Sequence, residues 1–398
     1  MMRLSSIHNM PRVSRLSSAA LACAIILAAC GRPAVMTATA AQPSASSPVT
    51  QPAAQPAPRD AMPERLNDKE YWSLETDISE PGGYFRIEDN YTSNEMEIGQ
   101  LYAMLRDANV HGDVYMGVGP EQNFTYIAAI RPKMAFIIDI RRQAIMQHLM
   151  FKAMFELAND RADFISVLFA KPRPAGLDTS MSIQKIWEAY RTVASDSTLR
   201  TRNYARVVDK LTKQHGFTFT TDESEKLKAV FDAFYYYGPS IATRGLSGGR
   251  GGDFTDLTGY SNDRSGQPRS FLSSEENYRF IKTLHEKNLI VPVSGDFAGP
   301  KAIKAISSYL KERHGTVRAF YVSNVEQYLF GDRKDSLFYA NVATLPIDSA
   351  SIFIRPYSLR RPFGGAGPTQ SLCPIGSFLL AVNAGRVSAY ERTLSCGQ

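Results

Sequence analysis

The chain has 398 residues, 44% of them hydrophobic and 11% aromatic, a composition that suits a packed core rather than a disordered chain. Its formal charge is +6, but residues 1–29 hold three arginines and no acid, so the charge falls to +3 without them. A charge so near neutral gives no electrostatic basis for binding nucleic acid, and no apolar run beyond the N-terminus is long enough to cross a membrane.

In chain order, Arg3, Arg12 and Arg15 precede an apolar run from Ala19 to Ala29. The run has the length of a signal-peptide core and is too short for a mature spanning helix. It ends in Leu27-Ala28-Ala29-Cys30-Gly31, which resembles the lipobox of bacterial lipoproteins. The resemblance implies removal of residues 1–29, lipidation of Cys30, and a periplasm-facing protein anchored in a cell-envelope membrane. The alternative is an ordinary secretory signal cut after Ala38-Thr39-Ala40, which would leave the protein secreted. Residues 30–62 are rich in Ala, Pro, Gln, Ser and Thr and poor in large apolar side chains, the composition of an extended tether. Cys23 leaves with the signal and Cys30 takes the lipid, so Cys373 and Cys396 remain, either paired in an oxidising compartment or as free thiols.

Residues 63–398 read as one α/β domain. Val114 to Gly119 is a buried strand entering a glycine turn, and a short helix follows with Phe124 to Ile130 apolar and Arg131-Pro132 as its stop. Met134 to Asp139 is a second buried strand ending in a carboxylate. Met146, Leu149, Met150, Ala153 and Leu157 then form one helical stripe, and Asp160 can cap the next helix. Strand–helix–strand–helix begins a parallel sheet with right-handed crossovers. A mainly helical insertion occupies about 171–285, with helices near 183–193, 204–214 and 223–237 and a glycine-rich loop at 245–252. The alternation resumes with strands at Leu289–Val293, Val317–Val322 and Ser351–Ile354, and with a helix carrying Ile303, Ile306 and Leu310 on one face. Pro292 places the first of these strands at a sheet edge, because proline has no N–H to give to a neighbouring strand.

The chemistry concentrates at the first turn. Gly117-Val118-Gly119 exposes bare backbone ahead of a helix whose first N–H groups lack partners. Asp139 lies 20 residues beyond Gly119 at the end of the adjacent strand, where a carboxylate can accept two ribose hydroxyls. Met116 to Glu121 with Asp139 resembles the first two motifs of class I S-adenosylmethionine-dependent methyltransferases. Gly295-Asp296 resembles their third-strand motif, and Ser323-Asn324-Val325-Glu326 falls where the fourth strand meets the methyl group. The run Gly117 to Asn123 is also similar to a bacterial family of unassigned function. The resemblance covers about 114–140 and 289–355. It implies a Rossmann-like, methyltransferase-type sheet with S-adenosylmethionine as candidate cofactor. Gly117, Gly119 and Glu121, with Asn123 beside them, would cradle its methionine end. Asp139 would hold the ribose, Asp296 would face adenine, and Asn324 and Glu326 would steer the reacting partner.

Two residues depart from that pattern. Tyr115 stands where the family places an acid, and Glu121 replaces the third glycine. A carboxylate at a helix start repels a pyrophosphate and attracts an ammonium or sulfonium. Compartment also conflicts, since S-adenosylmethionine is made in the cytoplasm. The sequence therefore points to a binder of a nucleoside-type or small polar ligand without assigned catalysis. An active methyltransferase is the alternative. A third reading is a serine hydrolase at Ser247, since Gly245-Leu246-Ser247-Gly248-Gly249 matches the nucleophile-elbow pattern, although the further glycines suit a loop. His111, His148, His215, His285 and His314 lack metal-ligand spacing and read as surface or capped histidines.

Overall fold

Each strand position of Val114–Gly117 and Met134–Asp139 is buried, as expected for strands covered by helices on both faces. The computed structural model describes residues 61–87, 89–95, 97–246, 252–356 and 370–397. The signal segment, Cys30, nearly all of the tether, and Ser247 lie outside them. Met62, placed by sequence at the end of the tether, already packs against the core.

Helices α1 (Asp68–Ile78) and α2 (Ile98–Asp107) lead into β1 (Val114–Gly117), α3 (Gln122–Ile130), β2 (Met134–Asp139), α4 (Arg142–Leu157) and α5 (Arg161–Phe169). Arg131 ends α3 in the left-handed region, and the Asp160 side chain caps α5 by accepting the N–H of Asp163. Helices α6 (Ile183–Tyr190), α7 (Ser197–Asp209) and α8 (Thr221–Tyr237) follow, then a two-stranded hairpin of β3 (Ile241–Ala242) and β4 (Gly245–Leu246), and helix α9 (Glu275–Glu286). The chain closes with β5 (Ile290–Ser294), α10 (Ala302–Lys311), β6 (Val317–Tyr321), α11 (Val325–Gly331), α12 (Asp335–Val342), β7 (Ile352–Pro356), β8 (Gln370–Pro374), α13 (Ile375–Asn383) and α14 (Tyr390–Leu394).

The main sheet runs β5-β2-β1-β6-β7-β8, parallel throughout except for the last pair. The fold is thus α/β with a Rossmann-like sheet flanked by helices. The crossovers run outward to β2 and β5 on one side of β1 and to β6 and β7 on the other. The direction reverses between β1 and β6, where open α/β sheets place their ligand crevice. Pro292 sits on the edge strand β5 opposite Ile137. β8 is antiparallel, and the bond between Cys373 on it and Cys396 beyond α14 ties the C-terminus to the sheet.

Helix α4 departs from its single-stripe expectation. Ala144 to Phe155 are all buried, because one side meets the sheet and the other meets α8 and α9. Phe124, Phe151, Phe155 and Phe271 interlock across that layer at ring separations of 5.4–5.9 Å. The same layer encloses His148 and His285, so these two are interior rather than surface residues. Helix α9 packs on α3 and α4 and so belongs to the helical layer over the sheet, which shortens the insertion at its C-terminal end.

Candidate functional site

The turn after β1 is built from inside. Gly119 has φ +83°, which a side-chain-bearing residue adopts only with strain. Gly117 is required for a different reason: a Cβ there would stand 2.1 Å from Asn123 Oδ1 and 2.7 Å from the Tyr115 hydroxyl. Tyr115 donates to Asn123 Oδ1 at 2.7 Å, and Asn123 Nδ2 lies 2.8–3.0 Å from the carbonyls of Val118, Gly119 and Pro120. His148 donates from Nε2 to the Gly119 carbonyl at 2.9 Å. Burial holds its pKa down at about 4, so the ring is neutral. Gly117 and Asn123 therefore shape the turn and do not border the cleft.

Glu121 also points inward and is 1% exposed. Its Oε1 accepts the N–H of Ser93 at 3.1 Å, and its Oε2 is buried without a partner. Burial raises its pKa to about 7. Pro120 has no N–H. One donor that would face an incoming phosphate is thus absent, and Glu121 is not placed to cradle a ligand's ammonium or sulfonium.

A cleft of about 390 Å³ opens at the C-terminal ends of β1, β2, β5 and β6, within the 300–1,000 Å³ range of small-molecule sites. Gly119, Asp139, Asp296 and Asn324 all line it. The structure thus brings together four of the eight catalytic and cofactor-binding positions inferred from sequence. Asp139 is not open to a diol. Its Oδ1 accepts from Arg141 N and Nε at 2.9 Å, and its Oδ2 accepts from Nη2 at 2.7 Å. Asp296 Oδ1 accepts the N–H of Ala298 at 2.9 Å, and its Oδ2 lies 3.5 Å from Lys334 Nζ. Asn324 caps α11 without a side-chain bond to the helix.

Glu326 belongs to a separate interior cluster. Arg355 donates to both of its carboxylate oxygens at 2.8 and 2.9 Å, Tyr339 donates at 2.7 Å, and the guanidinium lies between the rings of Phe353 and Phe378. At 1% exposure Glu326 cannot reach a ligand, and its role is to fasten α11 to β7.

Several cleft residues went unread in the sequence. A strap, residues 79–87 and 89–95, crosses the strand ends. It is held by Glu80 N–H to Ser294 O at 2.7 Å, Gly83 N–H to Ile140 O at 2.7 Å, and Tyr321 O–H to Glu95 Oε1 at 2.8 Å. Tyr84, Phe85 and Arg86 from the strap line the cleft, with Arg86 5.0 Å from the Tyr328 ring. The strap has no helical or strand period, so hydropathy cannot reveal it. Ser323, at φ +47°, holds a left-handed turn at the end of β6. Arg141 was detectable, as a base two residues beyond the strand-end acid. Among the described residues no group of His, Cys, Asp and Glu could hold a metal ion.

Two outcomes follow from these corrections. Glu326→Ala leaves Arg355 buried and unpaired, so unfolding by denaturant is expected to show a loss of about 3–5 kcal/mol. A loss under about 1 kcal/mol would return Glu326 to the candidate catalytic groups. A raised carboxyl pKa means that the folded chain binds this proton more tightly than the unfolded one. Its stabilisation is therefore complete below about pH 4.5 and is lost as pH rises to about 7, by about 3 kcal/mol at most. Glu121→Gln removes that slope, so its Tm relative to the native chain should rise between pH 5 and pH 8. Parallel Tm profiles would show that the carboxyl is not strained by burial.

A comparison with curated proteins finds no match. A family described as a domain of unknown function (DUF7790) matches residues 91–228 and 257–372, which take in the turn, the cleft strands and most of the helical layer. By that match over more than half its length, the chain belongs to the DUF7790 family.

Proposed function

We propose that this chain is an exported, lipid-anchored envelope protein whose strand-end cleft binds a small polar ligand of nucleoside type, with no catalysis assigned. One observation carries the ligand reading: Gly119, in the turn after β1, and Asp139, at the end of β2, border one cleft beside the point where the sheet's connections reverse. The export reading is supported by the basic, apolar and lipobox-like order of residues 1–31 and by a disulfide, which persists in oxidising compartments.

An active S-adenosylmethionine-dependent methyltransferase is the second reading. The edge position of the third parallel strand and the presence of Asp296 and Asn324 in the same cleft favour it. The inward turn of Glu121, Asn123 and Glu326, and the engagement of Asp139 by Arg141, weigh toward binding without turnover.

Calorimetry on the mature chain with adenosine and with S-adenosylmethionine at millimolar concentration is expected to register binding without formation of S-adenosylhomocysteine. Absence of heat with both would remove the nucleoside reading. Product formation that is lost in Asn324→Ala would establish the methyltransferase. For the anchor, Cys30→Ser is expected to abolish incorporation of a palmitate analogue and to release the protein from the membrane fraction. Unchanged labelling would overturn the anchor.

A further inference from the structure

The cleft wall carries a buried acceptor that no protein group satisfies. Gln122 lines the cleft and is 2% exposed. Its Nε2 donates to the Val118 carbonyl at 3.0 Å, which fixes the orientation of the amide. Its Oε1 then has no partner. A buried acceptor left unpaired is unfavourable, so its natural complement is a donor brought by a ligand. The amide stands against the bare face of Gly119: a Cβ on that glycine would meet Gln122 Nε2 at 3.2 Å and Oε1 at 4.0 Å.

Two of the three cations around it are already paired. Three cations, Arg86, Arg141 and Lys334, and three acids, Asp139, Asp296 and Asp332, line the cleft. Arg141 is engaged by Asp139 and by the Ile87 carbonyl, and Lys334 faces Asp296. At the turn, Pro120 offers no N–H, and the buried Glu121 carboxyl lies next to it in the chain. An anionic group beside Asp139 or Asp296 would have to break these pairs, and at Gln122 it would meet Oε1 with no proton to give.

Resting on the nucleoside-type reading above, we infer that the cleft selects an unphosphorylated, hydrogen-bond-donating ligand whose O–H or N–H group pairs with Gln122 Oε1. Gln122 is the specificity-determining residue. It accepts from the ligand while its Nε2 keeps the turn in place, so one amide links the shape of the backbone to the choice of ligand.

Titration of the mature chain with adenosine and with adenosine monophosphate tests this. Adenosine is expected to bind about tenfold or more tightly than the phosphorylated form, the effect of about 1.4 kcal/mol. Gln122→Met, which leaves no acceptor, is expected to weaken adenosine about tenfold, whereas an adenosine whose hydroxyl and amino hydrogens are replaced by methyl groups should bind the native chain and Gln122→Met within about threefold of each other. A purely structural role for Gln122 would weaken both ligands alike in Gln122→Met and would overturn the inference. Equal or tighter binding of the monophosphate by the native chain would also overturn it, even if Gln122→Met fails to fold, and would leave the nucleoside reading standing. Absence of adenosine binding to the native chain would overturn that reading and the inference with it.

Discussion

The bond from Tyr115 to Asn123 governs the site. It crosses the space where Gly117 has no side chain, and it holds the one amide that gathers three successive carbonyls of the turn. His148 secures the same turn from α4, and Glu121 ties it to the strap through Ser93. These groups are buried, where hydrogen bonds are strong and where loss of one partner is expensive. The turn therefore keeps its form without a ligand, and the cleft wall that includes Gly119 and Gln122 is preorganised. In many strand–turn–helix sites the ligand supplies some of these contacts; here the protein's own side chains do so.

The second support comes from outside the sheet. The insertion covers α4, so a helix that an open α/β domain would leave half wet is dry on both sides. That enclosure demands partners for its polar residues. Lys152 donates to Glu156 and to the His285 carbonyl, and the two ring nitrogens of His215 lie 2.6 Å from Asp68 on α1 and 2.7 Å from Glu156 on α4. Helix α1 is thereby joined to α4 at one end and feeds the strap at the other. The helical layer and the cleft are mechanically connected through the strap.

Strand periodicity and turn chemistry made the sheet legible. Two fully apolar runs split by glycines and a helix can satisfy their backbone only side by side, and Pro292 marked its strand as an edge. The same reasoning drew Gly119, Asp139, Asp296 and Asn324 to one place. It failed where a polar residue's fate depends on tertiary neighbours. Glu121, Asn123 and Glu326 sit at strand and helix ends, as ligand-facing residues do, and nothing local distinguishes an inward rotation from an outward one. Glu326 turned inward because Arg355, 29 residues away, lies across from it. Gln122 gave no signal either, since its importance comes from an atom left without a partner.

The free margin of β5 has a bearing on how this domain behaves at high concentration. An exposed strand rim invites another chain to add to it. Here Pro292 removes one donor, the Tyr71 hydroxyl covers the Ile290 carbonyl at 3.2 Å, and Ser79 and Glu80 take the N–H and carbonyl of Ser294. Growth of a fibre or of a strand-swapped dimer through this rim would require the N-terminal helix to peel away first. That is a safeguard carried by α1 and the strap.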